Sequence, residues 1–130
     1  MSSKAALVTT SGVVAAMCAS VIAAAPAQAQ GGTAVTASGA CTGHGSWNLE
    51  ATHDNGRIEI EFQVDVNRVG KTWHVRITDN LQLVTSRDAT TLAPSGSFTV
   101  RTHTADRVGL DVVRAHATRG DVTCGGKVSL

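Results

Sequence analysis

The chain has 130 residues, with 11 Lys and Arg against 10 Asp and Glu, and a formal net charge of +1 at pH 7. Such a balance creates no strong field for nucleic acid or an anionic membrane, so any electrostatic partner must be bound by a local patch. Aromatic residues make up 3% of the chain and tyrosine is absent, so rings for stacking bases or sugars are scarce. The length corresponds to one domain.

The first 29 residues have the pattern of a secretory signal peptide. Lys4 precedes an apolar run, and two small-x-small sequences, APA and AQA, end at Ala29, where we predict cleavage. A membrane anchor is the alternative, but polar residues at positions 9–12 interrupt the run and no positive cluster follows it. We therefore expect a secreted, extracellular protein with no membrane span after cleavage.

The remainder of the chain is predicted to form a flexible lead-in at residues 30–40 and a domain at residues 41–130. The lead-in is small and polar. Once Cys18 is removed with the signal peptide, Cys41 and Cys124 are the two cysteines that remain. Outside the cytosol an isolated pair of cysteines is usually bridged, so we predict a disulfide between them. Two free buried thiols are the alternative.

Beyond Cys41 the apolar residues recur at every second position, which is typical of strands. The predicted strands cover residues 47–53, 58–67, 71–78, 81–87, 97–103, 109–118 and 122–130. Asn55-Gly56 is a strong hairpin signal between the first two, because both residues tolerate the positive φ of a type I′ turn. In the sixth, the period shifts at Val112-Val113, which predicts a bulge or a late start of the strand.

Seven short strands, no helix, and a turn about every ten residues predict an all-β, two-sheet sandwich of the immunoglobulin or fibronectin type III kind. The lengths of the connections place the first, second and fifth strands in one sheet. The other sheet then has the order fourth, third, sixth, seventh. The disulfide would lie between the layers, where the first and last strands meet at the sandwich edge. An open barrel is the alternative.

After Cys41, a series of short sequence motifs is spread over the predicted domain. They are Ser46-Trp47-Asn48-Leu49, residues 55–67, Gly70, Trp73, Val75, Ile77, residues 94–98, Val100, residues 106–111, residues 115–118 and Cys124-Gly125. The pattern resembles small secreted actinobacterial proteins of the Streptomyces type, whose function is unknown. The resemblance implies export, the disulfide and the immunoglobulin-like fold, and it implies no activity. The chain is shorter than that group between the sixth strand and Cys124.

The first predicted hairpin has an acidic outer face. Its members are Glu50, Glu59, Glu61 and Asp65. With a two-residue turn, Glu50 faces Glu61 and Thr52 faces Glu59. Like charges directly opposite each other cost about a few tenths of a kcal/mol, so we expect Arg101 on the neighbouring fifth strand to offset them.

Two functional interpretations of this acidic face are a glycosidase-like pair of catalytic carboxylates and a calcium site. A flat strand face offers no cleft that would raise the pKa of a carboxylic acid, and calcium usually takes loop carbonyls as well as acids. We therefore expect a solvated face, with no catalytic residue and no metal.

A second group of outward residues is basic and lies on the third, sixth and seventh predicted strands. Its members are His74, Arg76, Arg114, His116 and Lys127. His74 and His116 would be neighbours, and a zinc or pH-sensing pair is one interpretation of them. None of the five histidines has the spacing of a zinc motif, so surface histidines are favoured.

Sequence motifs of catalysis are missing from the chain, which has no G-x-S-x-G and no phosphate-binding glycine loop. We therefore expect a non-enzymatic binding or interaction module at or outside the cell envelope, without a cofactor. The basic residues are the candidate surface for an anionic cell-wall polymer or another protein. The alternatives are an inhibitor of an extracellular hydrolase, acting through residues 86–96 or 103–109, and a structural protein that self-associates.

Overall fold

The computed structural model describes residues 31–130, which form two four-stranded antiparallel sheets. The strands are β1 (Gly31–Ala40), β2 (Ser46–Asp54), β3 (Arg57–Asp65), β4 (Thr72–Asp79), β5 (Gln82–Thr90), β6 (Ser97–Ala105), β7 (Val112–Arg119) and β8 (Val122–Ser129). One sheet has the order β1-β2-β3-β6 and the other β5-β4-β7-β8. The predicted signal peptide lies outside the described residues.

The predicted all-β architecture of two sheets is confirmed, but the count of seven strands is wrong. The eighth strand is β1, in the segment for which the sequence predicted a flexible lead-in. It pairs with β2 from Ala34↔Thr52 to Ala40↔Ser46, and Val35 and Ala37 pack against the core. Pairing satisfies the backbone groups that the edge of β2 would otherwise leave open. The order of the other seven strands is as predicted.

The register of the first hairpin is also as predicted. Asn55 and Gly56 have φ angles of 50° and 77°, and Glu50 faces Glu61 across β2 and β3. The shift of period near Val112 proves to be a late strand start, because β7 begins at that residue.

The core lies between the two sheets and is built from the inward positions of their strands. All four aromatic residues of the chain are part of it or contact it, since Phe62, Trp73 and Phe98 are buried in the core and Trp47 packs against the core as a partly buried neighbour. The largest fully buried apolar side chains are those of Phe62, Leu49, Ile58, Ile60, Ile77, Val64, Val75, Val100 and Val113.

The edges of the two sheets meet where β1 lies against β8, and the predicted disulfide joins them there. Cys41 follows β1 and Cys124 lies within β8, with an S–S distance of 2.06 Å. Beside the bridge, the Thr42 N–H donates to the Thr123 carbonyl at 2.9 Å, and the Thr123 N–H donates to Thr42 Oγ1 at 2.9 Å. This edge of the sandwich is therefore closed by covalent and hydrogen bonds.

Candidate functional site

The five predicted basic residues lie together on the outer side of the sheet β5-β4-β7-β8. They are His74, Arg76, Arg114, His116 and Lys127, and we call this surface the basic face. Strand alternation places them there, because their neighbours Val75, Ala115 and Val128 point into the core. In the register Arg76 faces His116, and Arg114 faces Lys127.

Three cations of the basic face have no anionic partner in the part of the chain that the structure describes. Arg76, Arg114 and Lys127 form no ion pair within 4.0 Å among residues 31–130. Arg114 and Lys127 are nevertheless directly opposite each other on adjacent strands. Like charges in that position repel, and no ion pair among the described residues offsets the repulsion between Arg114 and Lys127.

The two histidines of the basic face have different surroundings. His74 Nδ1 lies 3.0 Å from Asp88 Oδ1, and its Nε2 lies 3.0 Å from Ser86 Oγ. His116 instead faces Arg76, whose charge disfavours a metal ion at that position. Within residues 31–130, no group of three or more His, Cys, Asp or Glu side chains could hold a metal. The geometry therefore favours surface histidines over a zinc pair.

The acidic face of the other sheet is offset in the way the sequence predicts. Arg101 Nε is 2.9 Å from Glu61 Oε2, and Arg57 Nη2 is 3.7 Å from Glu59 Oε1. Glu50, directly opposite Glu61, therefore faces a carboxylate that already has a guanidinium partner.

A wide open depression of about 610 Å³ lies on the same sheet, at its β1 side. Asp65 is the charged residue of its lining, and the other polar groups include Ser38, Asn48 and Gln63. The Asp65 carboxylate accepts a hydrogen bond from the Asn67 N–H at 3.0 Å, so it caps the end of β3. The depression has hydrogen-bonding groups but no cation for an anionic ligand.

A buried carboxylate pair was missed by the sequence analysis. Asp79 and Asp111 are each 1% exposed, and Arg107 Nη1 approaches Asp79 Oδ2 at 3.8 Å. Burial, and then the charge of Asp111, raise the pKa of Asp79, and the charge of Arg107 partly opposes this. Asp79 continues the inward series of Val75 and Ile77, a signal that its place in a turn obscured.

The loop that carries Arg107 and Asp111 is fastened to the turn between β4 and β5. Asn80 Nδ2 donates to the Leu110 carbonyl and to Asp111 Oδ1, both at 3.2 Å. The Val112 N–H donates to Asn80 Oδ1 at 2.9 Å. Asn80 is therefore one anchor of the loop of residues 106–111, together with the Asp106 N–H, which donates to the Gly56 carbonyl at 3.1 Å, and the Asp111 N–H, which donates to the Leu130 carbonyl at 3.2 Å.

Comparison of the chain with protein-family models, curated proteins and solved structures found no match. No helix in the described part of the chain is long and apolar enough to cross a membrane.

Proposed function

We propose that this protein is an exported, non-enzymatic binding module of the immunoglobulin or fibronectin type III kind. Its basic face holds an anionic cell-wall polymer at or outside the cell envelope. The observation that carries the proposal is the pairing of Arg114 with Lys127, close to Arg76, with no ion pair to any of the three among the described residues. A bound polyanion would supply the missing negative charge and remove the repulsion.

The shape of the basic face suits a polymer better than a small substrate. Side chains two positions apart on a strand stand about 6.8 Å apart, and neighbouring strands are about 4.8 Å apart, so the cations form a flat lattice. Repeated phosphate or carboxylate groups can bind to several points of such a lattice at once. Arg76 and Arg114 present guanidinium groups, which bind these anions through two hydrogen bonds.

The disulfide supports the proposed location outside the cell. A structural bridge such as Cys41–Cys124 persists in an oxidising environment and is rare in the cytosol. The predicted signal peptide agrees with this location.

Binding to a wall fraction at low salt tests the proposal. We expect the protein to be retained and the R76E/R114E variant to be lost from the pellet. The matched control is R57E/R87E, which changes the net charge equally at two exposed arginines outside the basic face. Equal retention of wild type and R76E/R114E would contradict the proposal, and loss of the control as well would show that only net charge matters.

A second candidate function, inhibition of an extracellular hydrolase, is favoured by the loop of residues 106–111. Val108 is fully exposed at its tip, and Asn80 holds the far side of the loop. A fixed loop with an exposed apolar tip is the form that a protease-binding segment takes. The other predicted reactive segment, residues 86–96, is not one loop, because Ser86 to Thr90 belong to β5.

A panel of secreted hydrolases tests this second function. We expect an inhibited enzyme to recover when Val108 is replaced by Asp, whereas R76E/R114E remains inhibitory. The absence of inhibition across the panel, or equal inhibition by V108D, would rule out this loop as the inhibitory segment.

A further inference from the structure

A small cavity of about 110 Å³ opens at the end of the sandwich where the β1–β2, β3–β4 and β7–β8 connections meet. Its apolar lining comes from Val66, Trp73 and Val122. Its charged lining comes from Arg68, Lys71 and Arg119, beside His44. An apolar pocket with convergent cations is the usual form of a site for a small anion that carries a hydrocarbon group.

The cations occupy this end because inward positions continue past the buried part of each strand. On β4 the inward series Val75, Trp73 is extended by Lys71, and on β7 the series Ala115, Ala117 is extended by Arg119. Arg68 holds the corresponding place after Val64 and Val66 at the end of β3.

The loop that carries two of these cations is fixed in place by Thr91. Thr91 is 1% exposed, and its hydroxyl donates to the Arg68 carbonyl and accepts from the Lys71 N–H at 2.9 Å. Its backbone N–H donates to the Lys71 carbonyl at 2.9 Å, and its carbonyl accepts from the Gly70 N–H at 2.8 Å. The backbone at Arg68 and Lys71 is therefore ordered before any ligand binds, which lowers the entropic cost of binding.

Two further observations concern the groups that line this cavity. Arg68, Lys71 and Arg119 form no ion pair within 4.0 Å in the described part of the chain. Trp73 is 4% exposed, and its indole Nε1–H is buried without a hydrogen-bond partner. The lining therefore offers cations to an anionic ligand and apolar surface to a hydrocarbon group, whereas the inaccessible indole N–H offers no hydrogen bond.

We propose that this cavity binds a carboxylate that carries a short branched aliphatic group. Its carboxylate oxygens bind the guanidinium groups of Arg68 and Arg119, which line the cavity. The aliphatic group packs against Val66 and Val122. The cavity volume equals that of about four water molecules, which admits an isobutyl group of four carbons.

Such a carboxylate has two sources, a free short-chain acid and the C-terminus of a peptide that ends in an apolar residue. Isovalerate represents the first source and the peptide Gly-Gly-Leu the second. The neutral controls are isovaleramide and Gly-Gly-Leu-amide, which keep the hydrocarbon group and remove the charge. Binding of isovalerate alone assigns the site to free acids, and binding of both assigns it to the carboxyl group in either setting.

NMR titration of the 15N-labelled protein tests the proposal through the indole N–H signals of its two tryptophans. W47F identifies the Trp73 signal, and the backbone amides of Arg68 and Lys71 give a second readout that needs no variant. We expect these signals to shift and saturate with a dissociation constant on the order of 1 mM, as befits a ligand of this size.

Two double variants complete the test, one in the cavity and one on the basic face. R68Q/R119Q should weaken binding by about tenfold or more, since it removes charge-assisted hydrogen bonds. R76Q/R114Q, on the basic face, should bind isovalerate like the wild type, so the outcome is independent of polymer binding. The absence of saturable shifts with both carboxylates would overturn the proposal. Equal binding of the neutral amides, or unchanged binding by R68Q/R119Q, would also overturn it.

Discussion

At the scale of single residues, two like-charge pairs lie on opposite outer faces and differ in how they are offset. Glu50 faces Glu61, and the guanidinium of Arg101 lies 2.9 Å from Glu61. Arg114 faces Lys127, and no described carboxylate forms an ion pair with either. The acidic pair is thus offset within the fold, whereas the basic pair has no ion pair among residues 31–130.

Replacing Lys127 by Glu should therefore stabilise the fold and weaken binding. The change converts a repulsive cross-strand pair into an attractive one, which should raise the free energy of unfolding by about 0.2–1 kcal/mol. Urea unfolding measures the gain, and wall-fraction retention measures the loss. The K127Q variant should give values between those of the wild type and K127E, both for the free energy of unfolding and for wall-fraction retention. A destabilised K127E would show that Lys127 is already neutralised in the free protein.

The buried carboxyl of Asp79 should make stability depend on pH. Its pKa is raised in the folded state, chiefly by burial and then by Asp111, so the folded protein binds the extra proton above about pH 4. The free energy of unfolding then falls as pH rises through the raised pKa. The D79N variant has no titrating carboxyl at this position, so it does not lose this stability as pH rises. The free energy of unfolding of D79N relative to that of the wild type should therefore increase from pH 4 to pH 7.

Urea unfolding of wild type and D79N at several pH values measures that difference. D121N, in the exposed turn before β8, is the control and should show no comparable trend. A difference between wild type and D79N that stays constant with pH would mean that Asp79 has its ordinary pKa.

At the scale of elements, the alternation of apolar and polar residues predicted the strands whose two sides differ in polarity. It did not predict β1, whose two sides differ little. β2 and β3 alternate apolar and polar residues, so their register and the position of Glu50 against Glu61 could be predicted. In β1 the inward residues are Val35, Ala37 and Gly39, which contrast too weakly with the Thr and Ser between them. The basic face could be predicted for the same reason that β2 could, whereas Arg68 lies beyond the end of its strand, where alternation no longer indicates which way a side chain points.

The contact between Thr91 and the β3–β4 connection is the element-scale interaction that is easiest to break. T91V keeps the shape of the side chain but leaves the Lys71 N–H and the Arg68 carbonyl without their partner. We expect a loss of about 1–3 kcal/mol in the free energy of unfolding.

Hydrogen exchange should become faster at Gly70 and Lys71 in T91V, and isovalerate should bind more weakly. T91S retains the hydroxyl and is the matched control. Unchanged exchange in T91V would show that the backbone bonds of Thr91 hold the connection by themselves.

At the scale of the whole molecule, the two sheets are held by the shared core and by one covalent link at the β1–β8 edge. Cys41 and Cys124 are 83 residues apart, and closing a loop of that length should contribute about 4.5 kcal/mol through the entropy of the unfolded chain. The sequence predicted this pairing because removal of Cys18 with the predicted signal peptide leaves two cysteines, which permit one bridge.

Removal of the bridge in C41A/C124A should lower the free energy of unfolding by roughly 4 kcal/mol. Urea unfolding measures the change, and the untreated wild type should show no free thiol when denatured. A variant with an unchanged unfolding midpoint would mean that the bridge constrains the unfolded chain very little.

The same architecture presents an acidic outer face on one sheet and the basic face on the other, on a chain whose net charge is close to zero. The proposed binding of a polyanion would therefore depend on the local array of cations on the basic face, and its strength should decrease as salt screens that array. The most direct measurement is the dissociation constant of the purified wall polymer at a series of salt concentrations, for wild type and R76E/R114E. We predict an affinity that falls with salt along a steeper slope for wild type than for the variant, because wild type displaces more counterions. An affinity that is independent of salt, or identical slopes for the two proteins, would contradict the role assigned to the basic face.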